Sequence, residues 1–535
     1  MLRAVVTLGI LACIVADAGC QSPAEATIDF EDVTEQVGLG KLLERWRYGH
    51  GAAWGDADGD GRPDLYVGAF ADREMYAGDD APIPNMLLLN RPNGFELSED
   101  KAVRLESKRA RSTSALLVDL DNDGDLDLVV SCNVSRGSSF GSVLFENLGG
   151  GRFRDVTPEG APWPHELGLR NVAAIDMNAD GLLDLIFTDE GGRRGGGQLI
   201  VLENKGKWGF AMASAKYGFP ATGTRGLGLA VGDVNEDGVL DIFVADSNRL
   251  FVSGRGGKYH EVQPGTFVKP GRGEPVSCGA AFGDLNGDGL LDLVTTVHGQ
   301  PSRIHVYLNE AVRDGDPHFV QITTQAGVAK DFPSWGITKM RVKNAHVALR
   351  DIDNDGRTDI ILCQIYKDDR GRVQPVVLRN LGNQNGVPRF TRPPYESVIS
   401  YYAPVPVGDY DRDGRVDIFC TPWFEEIPGY LFRNTTKGGH WLTVRVAGKE
   451  PRLNTMGVGA TVRVYEAGRA GDRKYLIGRQ DIAIGTGYAC GEEALAHIGL
   501  GKAAKCDVEA AWGKQRVRKT GVPADQMVTI TFEGK

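Results

Sequence analysis

Asp119-Leu-Asp-Asn-Asp-Gly-Asp-Leu-Asp127 leads into an apolar run, and the same phrase, Asp-x-(Asp/Asn)-x-Asp-Gly-x-x-Asp, is spelled seven times along the chain. The copies begin at Asp56, Asp119, Asp176, Asp233, Asp284, Asp351 and Asp409. Three or four carboxylates confined to nine residues repel one another, so the turn opens, keeps protons or closes on a cation. Every ligand on offer is an oxygen, which selects a hard ion, and Ca2+ accepts a flexible shell of about 6–8 oxygens.

Positions 1, 3, 5 and 9 are the expected ligands, with one calcium per loop and up to seven in all. They are Asp56, Asp58, Asp60 and Asp64; Asp119, Asp121, Asp123 and Asp127; Asp176, Asn178, Asp180 and Asp184; and Asp233, Asn235, Asp237 and Asp241. The last three loops supply Asp284, Asn286, Asp288 and Asp292; Asp351, Asp353, Asp355 and Asp359; and Asp409, Asp411, Asp413 and Asp417. Position 7 would add its carbonyl, and glycine at position 6 permits the sharp turn. A helix-loop-helix hand would need Glu at position 12, where these loops carry Val67, Val130, Phe187, Val244, Thr295, Leu362 and Cys420.

First Asp follows first Asp at a mean spacing of about 59 residues, a period that belongs to propellers and solenoids. Each loop lies between a strand of small and apolar residues, such as GAAWG or LGLAVG, and a run such as DLYVGAF or LDLVVS that reads as a buried strand. Further on come MLLLN, SVLFEN, LIVLEN, IHVYLN, PVVLRN and GYLFRN, then an aromatic-led strand such as GRFRDVT. Four strands per unit, repeated seven times, predict an all-β, seven-bladed β-propeller over residues 27–438. The seventh unit has no outer strand of the FRDVT type, yet the chain begins with DFEDVT. Residues Phe30 to Thr34 are therefore expected to pair around Tyr430 to Arg433 and close the ring.

These loops and strands resemble the FG-GAP or VCBS repeats of integrin alpha-chain propellers and many bacterial surface proteins. The resemblance implies calcium in the loops, bracing the blades. Residues 440–535 read instead as a small β-sandwich-like module with strands HWLTVRV, ATVRVYEAG, KYLIGRQ, CDVEAAW and MVTITFEG. The order GVGATVRVY, GTGYACGE, HIGLG and a strand ending at Trp512 looks like the ASPIC/UnbV domain. It departs from that pattern at Cys490-Gly491, where Ser-Gln is usual, and at Trp512-Gly513, which lacks the usual proline. Together the two parts are similar to the cartilage acidic protein 1-like family.

The formal charge of −11 disfavours nucleic acid, and seven divalent ions would bring it to about +3. Residues 1–19 read as a secretory leader, with Arg3 ahead of an apolar stretch from Ala4 to Ala16. Cleavage after Ala18 competes with a lipobox at Ala18-Gly19-Cys20. The lipobox is favoured although Asp17 stands where Leu is expected; it would make Cys20 the first mature residue and a lipid anchor. Export also raises a possible disulfide between Cys490 and Cys506, while Cys132, Cys363 and Cys420 read as buried free thiols.

Three functions fit. The leading one is an exported, non-enzymatic calcium-binding scaffold presenting a surface to an extracellular protein or glycan. A polysaccharide lyase or hydrolase working at the mouth of the central channel is the second, with His50, Arg170 and His346 near the axis. No nucleophile motif, metalloprotease helix or phosphate loop accompanies them, so no reaction is assigned. In the third, the C-terminal module recognises the partner through Trp441, Tyr475, Tyr488 and Trp512.

Overall fold

The computed structural model describes residues 28–533 except 45, 71–82, 106–109, 135–139, 192–195, 255, 264–265, 268–275 and 450–451. The expected leader and the Cys20 anchor lie outside the described residues. Strands dominate, and no described helix is long and apolar enough to cross a membrane.

Seven antiparallel sheets each carry one acidic loop, always between their first and second strands. In the first sheet these are Gly49–Gly55 and Asp64–Ala69, followed by Met86–Arg91 and Gly94–Leu97. The first strands are mostly buried, since small residues there allow neighbouring backbones to touch. A Cβ on Gly51 would come within 3.2 Å of the Ser114 backbone, and one on Gly228 within 2.4 Å of the Cys278 carbonyl.

Neighbouring sheets are latched by an asparagine in, or just after, the third strand. Asn147 Nδ2 donates to Ala57 O, Asn204 to Leu120 O, Asn309 to Val234 O, Asn380 to Leu285 O and Asn434 to Ile352 O, each at 2.8 Å. Every acceptor is the second residue of the preceding acidic loop. The sixth latch runs from Asn90 of the first sheet to Tyr410 O of the last, also at 2.8 Å, and makes the series cyclic. Such a cycle of sheets is a β-propeller. The fourth sheet has Ser253 at this position; there Thr188 Oγ1 of the third sheet donates to Leu227 O at 3.1 Å.

The outer strand of the last sheet comes from the start of the chain, as DFEDVT leads one to expect. Phe30–Asp32 runs antiparallel to Tyr430–Asn434, with Phe30 opposite Asn434 and Asp32 opposite Phe432. Phe30 is buried beside Ile418, Tyr402 and Phe432.

After the ring, His440–Gly448 pairs with Leu495–Gly501 and with Gln526–Phe532 in one sheet. Leu476–Asp481, Thr461–Glu466, Lys505–Trp512 and Gln515–Pro523 form a second. Between Asp481 and Leu495 the chain leaves both sheets and enters the ring. Ile484 bridges to Ala174, Gly487 to Leu229, and Cys490–Gly491 adds a parallel strand beside Ala52 and Ala53. One apolar cluster accordingly runs from Val172 and Leu229 of the ring through Ile482 and Ile484 into Val462 and Val508.

Closure by Phe30 has a measurable consequence. Phe30→Ala is expected to cost about 3–5 kcal/mol, as for other buried aromatic truncations, read as a lowered denaturant midpoint. Glu31→Ala removes only an exposed pair with Arg433 and should stay within about 0.5 kcal/mol of the parent.

Candidate metal centres

Two features shape every acidic loop. The position-6 glycines, Gly61, Gly124, Gly181, Gly238, Gly289, Gly356 and Gly414, all adopt φ between +82° and +99°, where a side chain would be strained. The position-9 carboxylates are buried, and each binds two backbone amides. Asp64 accepts from Ala57 N at 2.9 Å and Asn90 N at 2.7 Å, and Asp127 accepts from Leu120 N and Asn147 N at 2.9 and 3.0 Å. Asp184, Asp241, Asp292, Asp359 and Asp417 repeat the pattern. The last aspartate thus ties its loop to the third strand of its own sheet.

The remaining ligand positions divide the loops. Four bring three carboxylates within 4.8 Å of one another: Asp56, Asp58 and Asp64; Asp119, Asp121 and Asp127; Asp351, Asp353 and Asp355; Asp409, Asp411 and Asp417. Asp60, Asp123, Asp359 and Asp413 lie outside these trios. In the other three loops the position-3 amide turns to the position-5 carboxylate, from Asn178 to Asp180 at 2.8 Å, Asn235 to Asp237 at 3.3 Å and Asn286 to Asp288 at 3.0 Å. In all seven loops the position-1 carboxylate accepts the position-6 amide at 2.7–3.0 Å.

Arginines unnoticed in the sequence reading enter three of the four trio loops. Arg91 pairs with Asp58 and Asp60, Arg379 with Asp353 and Asp355, and Arg415 with Asp413. The second loop gains acid instead, with Asp125 at position 7 and Glu146 facing it. Burial, then the neighbouring Asp123, pushes Asp121 up to about 6. Burial likewise raises Asp64 to about 7 and Asp127 to about 8.

These groups fit a divalent ion. Asp56 Oδ1, Asp119 Oδ1 and Asp353 Oδ1, one from each of three trios, are buried without a hydrogen-bond partner. A buried carboxylate oxygen with no donor is costly, and an oxygen-seeking cation relieves that cost.

The axial residues His50, Arg170 and His346 do converge, but on their own chain. Tyr488 Oη lies 3.1 Å from His50 Nε2, Tyr488 N donates to His346 Nδ1 at 3.0 Å, and Arg170 pairs with Glu190 at 2.5 Å. Burial lowers His346 to about 4, which keeps it neutral. Tyr488 is buried between the two histidines, so it stands in the axis beside the groups named for the enzyme reading. Of the four aromatics expected on the C-terminal module, Tyr488 is buried in the ring, whereas Trp441 beside His497, Trp512 edge-on to Phe532 and Tyr475 beneath Arg469 remain partly exposed. The Cys490–Cys506 disulfide also fails. Cys490 sits in the ring with its Sγ 3.4 Å from His346 Nδ1, Cys506 lies in the strand Lys505–Trp512, and both are free. Cys132, Cys363 and Cys420 are buried free thiols, as expected.

Comparison with known families agrees with this architecture. An FG-GAP-like repeat model matches residues 119–187, 176–244, 284–362 and 351–420, and an ASPIC and UnbV model matches residues 450–535. The chain belongs to the FG-GAP repeat proteins that carry a C-terminal ASPIC/UnbV domain. It is 28% identical over 300 residues to human cartilage acidic protein 1, covering 51% of this chain and 41% of the human protein. The mouse protein of that name is 27% identical over 299 residues (50% and 41%), and that of Xenopus tropicalis 28% over 291 (51% and 42%). The match spans about two fifths of these relatives' length.

The raised carboxylates set a pH dependence for the metal-free protein. They hold protons in the fold up to about 6–8 that they release near 3.8 when unfolded, so their stabilising effect is present below about pH 4 and is lost as pH rises through 6–8. Melting temperature in chelator should therefore fall between about pH 5 and pH 8, and calcium added at the upper end should restore it.

Proposed function

We propose that the chain is an exported, non-enzymatic recognition scaffold in which calcium braces a β-propeller that offers one face to an extracellular protein or glycan. The observation that carries this reading is the set of four carboxylate trios, three of which hold an orphaned buried oxygen. Asp56, Asp58 and Asp64, and their counterparts in the second, sixth and seventh loops, would hold the tighter ions. The loops with Asn178, Asn235 and Asn286 would hold weaker ones, since each ligand charge removed lowers affinity. Export through residues 1–19, with or without lipid on Cys20, would place these loops where calcium is plentiful. The likeness to cartilage acidic protein 1 supports such a setting.

The ASPIC/UnbV domain covers loops on the acidic face, so recognition is assigned to the opposite one. There, ahead of the strand Val347–Arg350, a short hairpin projects Trp335 and Ile337, 56% and 52% exposed. It is pinned from both sides, with Gly336 N donating to Met340 O at 2.8 Å and Ile337 N to Val398 O at 2.9 Å. Arg341 lies over the Trp335 ring at 5.7 Å, and Lys339 is exposed beside it. A rigid aromatic among cations suits an anionic sugar chain or an acidic protein segment. The enzyme reading has less support, because Tyr488 engages both His50 and His346.

Binding of the calcium-loaded chain to anionic glycans and acidic matrix proteins tests the proposal. The double variant Trp335→Ala/Arg341→Ala should lose affinity by about tenfold or more while keeping its melting temperature. Unchanged binding by the variant would remove this surface from the reading, and turnover of a bound polymer would replace the scaffold with an enzyme.

A further inference from the structure

The ASPIC/UnbV domain grips the acidic loops by their backbones. Arg479 Nη2 donates to Asp233 O at 2.7 Å and Nη1 to Gly289 O at 2.9 Å, Asp481 accepts from Asp233 N at 2.8 Å, and Arg473 Nε donates to Asp288 O at 2.6 Å. In the sixth loop Asp353 O receives Gly439 N, and Asn354 O receives Gly501 N, both at 2.9 Å. His497 Nε2 lies 2.9 Å from Asn354 Oδ1. In the second loop Thr455 donates its hydroxyl to Asp119 and its amide to Asn122 Oδ1. Approach is close enough that a Cβ on Gly499 would lie 2.0 Å from Asp351 Oδ2.

The strand Leu476–Asp481, which carries Arg479 and Asp481, runs within three residues into the segment that fills the axis. Gly487 N donates to Leu229 O at 2.8 Å and to Ala280 O at 3.0 Å, Ala489 N to Asn171 Oδ1 at 2.9 Å, and Ala52 N to Ala489 O at 3.1 Å. The strand that touches the fourth and fifth loops and the part that closes the channel are thus one continuous stretch.

We propose that ion occupancy of the loops and seating of residues 484–491 in the channel are coupled, with Arg479, Asp481 and Thr455 as the positioning residues. The inference rests on the calcium reading above. A loop without its cation opens under carboxylate repulsion and displaces the carbonyls and amides the domain grips. Hydrogen bonds weaken steeply with such misalignment, so the domain loosens and Tyr488 leaves the axis. By linkage, the factor by which calcium favours the seated state is the factor by which seating raises calcium affinity.

Cys490 reports the seated state, being a plug residue buried against the ring, and Cys132 in the strand Asp127–Cys132 reports the ring itself. Full-length protein is labelled with a maleimide, calcium-loaded and after chelation, and modification is mapped by mass spectrometry while calcium binding is followed by calorimetry. Chelation should speed labelling of Cys490 by about tenfold or more with Cys132 still protected. Thr455→Val, at the domain edge, should raise Cys490 labelling in calcium and lower calcium affinity; Arg479→Met should do both more strongly if it folds. Equal Cys490 rates with and without bound calcium overturn the coupling, as does exposure of Cys490 and Cys132 together. Absence of any calcium binding to the intact chain sinks the metal reading itself and the coupling with it.

Discussion

A buried carboxylate that must accept backbone amides is the constraint on which the ring depends. Each position-9 aspartate fastens its loop to the third strand of its own sheet, and the asparagine beginning that attachment reaches back to the loop of the sheet before. Loop geometry and sheet-to-sheet spacing are therefore one problem. The carboxylate is needed for the hydrogen bonds, its burial raises its affinity for a proton, and two or three further carboxylates approach from the same turn. Only a cation or protons can settle that conflict, which is why a metal reading arises from the fold and not merely from acidic composition.

The seven loops resolve the conflict differently. Arg91, Arg379 and Arg415 bring guanidinium groups into the first, sixth and seventh, and an amide takes one place in the third, fourth and fifth. The second has Asp125 and Glu146 added near Asp121, with Glu146 itself paired to Arg154. Near-identical motifs thus present unequal electrostatic demands, because residues outside the nine-residue phrase decide how much charge remains.

The ASPIC/UnbV domain changes what the ring can do. A propeller with an unobstructed axis invites a catalytic reading, and His50, Arg170 and His346 stand where that reading needs them. Tyr488 occupies the space between, held by the histidines a substrate would have to use. The domain also lies against the acidic loops, leaving the opposite face, with Trp335 and Ile337, as the freer surface.

Local pattern was enough for much of this. Seven spaced loops, glycine at each sixth position, apolar runs flanking them and DFEDVT at the start declared the repeat, the turn, the sheets and the closing strand, because each is set by contacts within a unit or by one recurring chemical phrase. What the chain could not declare from local pattern were contacts between residues hundreds of positions apart. Arg479 on Asp233, Thr455 on Asp119 and Tyr488 against His50 have no periodic signature, since a single insertion of GTGYACGE serves a site that exists only after the ring has formed. Cys490 looked like a disulfide partner by its proximity to Cys506 in sequence, yet the path of the chain carries it into the ring. Sequence determined the units and their chemistry; tertiary structure decided which charges are offset and what fills the axis, because only packing brings such distant groups within hydrogen-bond range.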